Sequence, residues 1–218
     1  MTFSLIGRCA RTGQIGAAST TSALAVGARV QAVAAGVGAV LTQHRTDPRL
    51  GPRGIALLRS GCSAAATVAA LVASTPDIGW RQLAAIDAAG RTAHHHGAQV
   101  KPALAAAHGP QVVAIGNILA NEGVPAAMAA AFAADPSLPL AERLLRGLEA
   151  GQAAGGETRD LISASLLVMA DQAFPYVDLR IDQAPAPLPA LRALWDAYAP
   201  MAEAYVTRAL TPDVAPVI

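Results

Sequence analysis

Apolar and polar positions alternate in short blocks along the first half of this chain, and each block predicts an element. The stretch Thr2 to Cys9, the turn signal Arg11-Thr12-Gly13 and the stretch Gln14 to Ser19 read as strand, turn and strand, which puts Thr2 at the start of a hairpin. Two further extended segments, Arg29 to Ala34 and Gly38 to Gln43, are separated by Gly36 and Gly38, where backbone can turn sharply. The segment Asp47 to Pro52 breaks this pattern. A helix over Arg53 to Ser60 follows, then one with Ser63 as N-cap that carries Val68, Leu71 and Val72 on one side.

Strands return at Gln82 to Asp87 and Arg91 to His96 around the turn Ala88-Ala89-Gly90, and at Val112 to Ile115, which ends on Gly116-Asn117. Helices are predicted over Pro125 to Ala134 and Leu140 to Ala150, the latter with Leu144, Leu145 and Leu148 on its apolar face. Strands at Ile162 to Met169 and Tyr176 to Ile181 precede a closing helix over Leu188 to Leu210 that bends or restarts near Pro200. Its apolar face would hold Leu191, Leu194, Trp195 and Tyr198, and Pro185 to Pro189 reads as a connector. Paired strands alternating with paired helices suit an α+β fold in which two sheets stack between helical layers.

Length and composition narrow the picture. A chain of 218 residues with 53% hydrophobic content suits a single domain over residues 1–218. Alanine dominates that content and aromatics are 4%, so close backbone packing must replace large side chains. Net charge is +1 and the arginines are scattered without a basic run, which argues against a nucleic-acid partner. Lys101 is the only lysine, so a catalytic lysine elsewhere is excluded. Cys9 and Cys62 lack metal-type spacing and are expected to be reduced. No signal-peptide pattern opens the chain, and the uncharged stretch Ile15 to Ala28 is too short and too rich in Ser and Thr to span a bilayer. A soluble cytoplasmic protein is the expectation.

The chemistry points to Thr2. Met1 precedes a small residue and can be trimmed, leaving a threonine whose hydroxyl is the nucleophile and whose own α-amine, titrating at about 7.7–8.0, is the base. A retained Met1 would acylate that nitrogen and remove the base. Asn117, at a strand end, can donate an amide N–H to an oxyanion, or it can simply turn the chain after Gly116. Ser19 is placed to hydrogen-bond the Thr2 amine, with an ordinary sheet serine as the alternative.

The chain resembles the bacterial domain of unknown function 1028 family, whose members look like N-terminal nucleophile (Ntn) hydrolases. The resemblance is carried by Thr2-Phe3-Ser4-Leu5, Ala25-Val26-Gly27-Ala28, Gly36 to Gln43, Gly51-Pro52-Arg53-Gly54, Gly116-Asn117-Ile118-Leu119, Leu140 to Leu145, Glu149-Ala150-Gly151, Gly155-Gly156 and Val177 to Asp182. It implies a four-layer αββα sandwich and an amide-bond hydrolase with Thr2 as nucleophile. Where relatives usually carry a Gly-Gly-Asp-Arg-Arg-Gly-like loop, this chain has Gly155-Gly156-Glu157-Thr158-Arg159-Asp160, which implies a different specificity if that loop shapes the pocket. Proteasome-like relatives place a lysine and an aspartate beside the threonine. Here Arg29 is the nearest cationic substitute by position, able to orient or to hold an acidic group but not to shuttle protons, with a solvated strand residue as the alternative. Arg29, Gln43 and Gly116 are taken as substrate-binding positions.

The expected activity is therefore hydrolysis of a small-molecule amide through an acyl-enzyme, without cofactor or membrane, in a monomer or a homo-oligomer. Two rivals stay open. One is a non-catalytic member of the same fold that binds a small molecule or assembles with a partner. The other is a metal hydrolase using His94 and His96, which a strand would put on one face at about 7 Å spacing, with His95 opposite and a polar hairpin edge as the plain alternative.

Overall fold

Side chains of the first strand leave it alternately to two different cores. Phe3 and Leu5 enter one shared with helices, and Ile6 enters another shared with a second sheet. The structure, a computed structural model, describes residues 1–216. Its strands are β1 (Thr2–Arg8), β2 (Ile15–Thr21), β3 (Gln31–Ala34), β4 (Gly38–His44), β5 (Arg81–Asp87), β6 (Thr92–His96), β7 (Leu104–Gly109), β8 (Val112–Asn117), β9 (Ser163–Met169) and β10 (Val177–Ile181). Its α-helices are α1 (Leu50–Arg59), α2 (Ala64–Ser74), α3 (Val124–Ala133), α4 (Leu140–Ala153), α5 (Pro187–Tyr198) and α6 (Ala202–Leu210).

Two antiparallel sheets result. The larger has the order β10-β9-β2-β1-β8-β7, the smaller β3-β4-β5-β6. They meet over an apolar core that includes Ile6, Ile15, Leu41, Ile86, Val113 and Ile115. Helices α3, α4 and α5 pack on the other face of the larger sheet, and α1 and α2 on that of the smaller one. Both sheets therefore have two covered faces, and β1 is buried along nearly its whole length.

Close approach substitutes for bulk, as the alanine-rich composition requires. A Cβ on Gly147 of α4 would lie 2.6 Å from Leu5 Cδ1, and one on Gly38, at φ 152°, would lie 2.3 Å from the Ile86 carbonyl oxygen. A charged cluster fastens α5 to α4: Arg192 binds Glu142 at 2.6 Å and Glu149 at 2.8 Å, and Trp195 Nε1 donates to Glu142 at 2.8 Å.

Most sequence expectations lie within a few residues of the observed elements. Ser63 caps α2 by accepting from the Ala66 N–H, and the closing helix does break, α5 ending at Tyr198 and α6 beginning at Ala202 around Pro200. Three points differ. Strand β7 lies where the sequence pattern predicts none, because Leu-Ala-Ala-Ala-His-Gly has little strand character of its own and is extended by pairing with β8. Helix α1 starts at Leu50 rather than Arg53, since Pro52 is tolerated in a first turn. Leu194 is 37% exposed and lies off the buried stripe of Leu191 and Trp195. Cys9 and Cys62 are unpaired. Among the described residues no helix is long and apolar enough to cross a membrane.

Candidate active site

The inter-sheet space is apolar at one end and polar at the other, and Thr2 opens the polar end. Alternation puts Thr2, Ser4 and Ile6 on the same face of β1, and Asn117 stands directly opposite Thr2 on β8. On β2 the residue one step beyond the Phe3–Thr20 pair is Thr21, and its hydroxyl lies 3.2 Å from that of Thr2. Both hydroxyls donate to the Met1 carbonyl oxygen. Thr2 is 6% exposed.

The smaller sheet answers with amides. Gln82, on β5 and fully buried, donates from Nε2 to the Gly116 carbonyl at 2.8 Å and to His96 Nε2 at 3.0 Å. Its Oε1 accepts from Gln43 Nε2 at 2.6 Å and from Asn117 Nδ2 at 2.9 Å. Gln43 also reaches the Thr2 carbonyl at 3.3 Å. The Gly116 carbonyl fixes which end of Gln82 is the donor, and this in turn fixes the amides of Gln43 and Asn117. Asn117 Oδ1, Gln43 Oε1 and Ser4 Oγ are buried without a hydrogen-bond partner among the described residues.

A carboxylate closes the site from the loop after α4. Glu157, 8% exposed, accepts the Ser22 N–H on Oε2 at 3.2 Å, while Oε1 is buried and unpartnered. Burial pushes its pKa up to about 7 against the opposing pull of the Met1 ammonium. Burial likewise lowers the pKa of the Met1 α-amine, while Glu157 acts to raise it. Beside this carboxylate lies a cavity of about 400 Å³ whose lining includes Thr158, Leu161, Pro185 and Pro187.

Thr2, Asn117, Gln43 and Gly116 thus come together, Gly116 through its carbonyl. Ser19 does not join them: it stands opposite Ser4, and its hydroxyl donates to Gln31 Oε1 at 3.3 Å. Arg29 is also elsewhere, its guanidinium holding the carbonyls of Leu24 and Ala25. Sequence reasoning missed Thr21, Gln82 and Glu157. Only Glu157 carried a signal, since it falls in the loop where the chain departs from its relatives.

Thr92, His108 and His94 form a hydrogen-bonded chain across the edges of the two sheets. His94 and His96 share the face toward the larger sheet, with His94 Nδ1 2.7 Å from His108 Nε2 and Thr92 Oγ1 2.7 Å from His108 Nδ1, while His95 lies on the opposite face. Two nitrogens this close share a proton rather than a metal ion, whose ligands at about 2.0–2.1 Å would stand farther apart. Burial lowers the pKa of His94, His96 and His108, that of His96 to about 4, so His96 Nε2 is free to accept from Gln82. Among the described residues no group of three or more His, Cys, Asp or Glu could hold a metal ion.

This chain belongs to a family of unknown function, DUF1028, whose sequence model matches residues 2–191. The crystal structure of protein SPO2555 from Silicibacter pomeroyi, assigned to the same family, is similar with a TM-score of 0.85 at 32% identity, over 91% of this chain and 86% of that one. Anbu (ancestral beta-subunit) from Yersinia bercovieri aligns over 93% of this chain and 97% of its own at 11% identity, with a TM-score of 0.40. No curated protein matches the chain.

Proposed function

We propose that this protein, once Met1 is removed, is an amidohydrolase with the Thr2 hydroxyl as nucleophile and the Thr2 α-amine as base, carried on a four-layer αββα sandwich of the Ntn-hydrolase kind. The observation that supports it most is the position of Thr2 Oγ1, buried at the polar end of the inter-sheet space and touching a carbonyl oxygen that Thr21 also binds.

In the first half-reaction Thr2 Oγ1 attacks the amide carbon and its proton passes to the α-amine. The oxyanion is held by the Thr21 hydroxyl and by the amide hydrogen of Asn117 not engaged by Gln82. The C–N bond breaks as the ammonium returns its proton to the leaving nitrogen, leaving an ester on Thr2. Water then attacks the ester with the same amine as base, and the acid departs as the proton returns to Oγ1. Burial, which lowers the pKa of the Met1 amine, acts in the same direction on a Thr2 amine and favours the neutral form that a base requires. In this reading Gln43 and Gly116 act through Gln82, and Arg29 orders its loop.

The test is covalent labelling. Protein whose intact mass shows Thr2 as first residue is treated with p-nitrophenyl acetate, and the acyl adduct is mapped. An adduct on Thr2, absent from Thr2→Ala and retained in Thr2→Ser, is expected. An adduct count unchanged by Thr2→Ala would remove the nucleophile assignment.

A further inference from the structure

We infer that the space in front of Thr2 is a subsite for a cationic amine bound by Glu157, so that the amide cleaved is that of an α-amino acid whose own amine is free. The cleavage half of this rests on the reading of Thr2 as nucleophile; the binding half does not.

Met1 fills that space and outlines it. It is an aminoacyl group joined to the Thr2 nitrogen, close to where an acyl group joined to Thr2 Oγ1 would lie. Its carbonyl oxygen receives the hydroxyls of Thr2 and Thr21, and its sulfur accepts from Thr158 Oγ1 at 3.5 Å, next in the chain to Glu157, whose charge acts on the Met1 amine from beyond ion-pair distance. The carbonyl and the side chain of this amino acid each have a partner, and Glu157 Oε1 is left as the acceptor for an amine.

Glu157 is built to receive a donor. One carboxylate oxygen is held by the Ser22 N–H, and the other is buried with no hydrogen-bond partner among the described residues. An unpaired buried charge is costly, and an ammonium supplies both the missing hydrogen bond and the opposite charge. Burial pushes the carboxyl toward its neutral form, and the nearby ammonium works against that shift. Arg159 opposes the amine's charge, but from an exposed position where solvent screens it. The cavity beside Glu157 is lined by Leu161, Pro185 and Pro187, apolar residues that suit the amino acid's side chain.

The experiment uses Thr2→Ala protein with Met1 removed, which cannot turn over, titrated calorimetrically with methioninamide and with N-acetylmethioninamide. Methioninamide is expected to bind at least about tenfold more tightly, as one charge-assisted hydrogen bond allows, and Glu157→Gln in the same background should erase the difference while circular dichroism stays unchanged. Equal affinities, no methioninamide binding, or a preference that survives Glu157→Gln would each overturn the subsite. Processed wild-type protein is then assayed on methionine p-nitroanilide. Amine-selective binding without cleavage would sink the nucleophile reading while leaving the amine subsite standing.

Discussion

Asn117 Nδ2 donates to Gln82 Oε1 at 2.9 Å across the gap between the two sheets. Because Gln82 Nε2 is held by the Gly116 carbonyl, the Asn117 amide cannot turn over without setting two carbonyl oxygens against each other. The residue opposite Thr2 in the larger sheet is thus oriented by the smaller one.

If Asn117 supplies an oxyanion donor, Asn117→Ala should lower kcat by about a hundred- to a thousand-fold with a smaller effect on KM. The measurement is kcat beside the thermal midpoint. A large midpoint drop with unchanged kcat would leave Asn117 as a packing residue only.

Gln82→Leu keeps similar bulk but removes the acceptor of the Asn117 amide and the donor to the Gly116 carbonyl, and leaves the Gln43 amide its longer bond to the Thr2 carbonyl. Each orphaned buried group costs about 1–3 kcal/mol, so urea unfolding should show a loss of at least that size. Activity should fall as well, because Asn117 is no longer held. Unchanged unfolding would mean that the amides find other partners.

An N-terminal extension that prevents exposure of Thr2 should be as damaging to hydrolysis as Thr2→Ala, since an acylated nitrogen has no lone pair for general-base work. Turnover by an extension-bearing preparation verified by intact mass would contradict this.

Glu157 makes stability depend on pH. Its carboxyl is raised from an ordinary 4.5 to about 7, so the folded state binds a proton that the unfolded state has released. The stabilisation is full below about pH 4.5 and is lost as pH rises through about 7. In Met1-retaining protein Glu157→Gln should therefore match wild type near pH 4.5 and exceed it at pH 8. The gain in thermal midpoint should be a few degrees, at about 2–4 °C per kcal/mol for a chain of this size. A wild-type advantage at pH 8 would refute the assignment.

Gly147 lets α4 rest on β1. Gly147→Ala places a methyl 2.6 Å from Leu5 Cδ1 and 3.3 Å from the Met128 carbonyl oxygen, and overpacking of this kind costs about 1–3 kcal/mol despite the better helix propensity of alanine. Equilibrium unfolding reads the sign directly.

Local signals made much of this protein legible from its sequence. The Ser63 cap, the turn at Gly90, the break at Pro200 and the start of a strand at Thr2 depend on a few neighbouring residues and on backbone preferences that hold in any fold. What lies beside Thr2 does not depend on such signals. Whether Ser19 or Thr21 meets it turns on two residues of strand register, which only the complete β1–β2 pairing decides. Gln82 comes to Asn117 because two sheets stack, and Glu157 comes to the N-terminus because the loop after α4 returns to a bridge at Leu119. Strand β7 is extended by its neighbour rather than by its own alanines. Local patterning marks most of the elements and the nucleophile candidate; packing between the sheets decides which side chains surround it, because those contacts join residues that no local period relates.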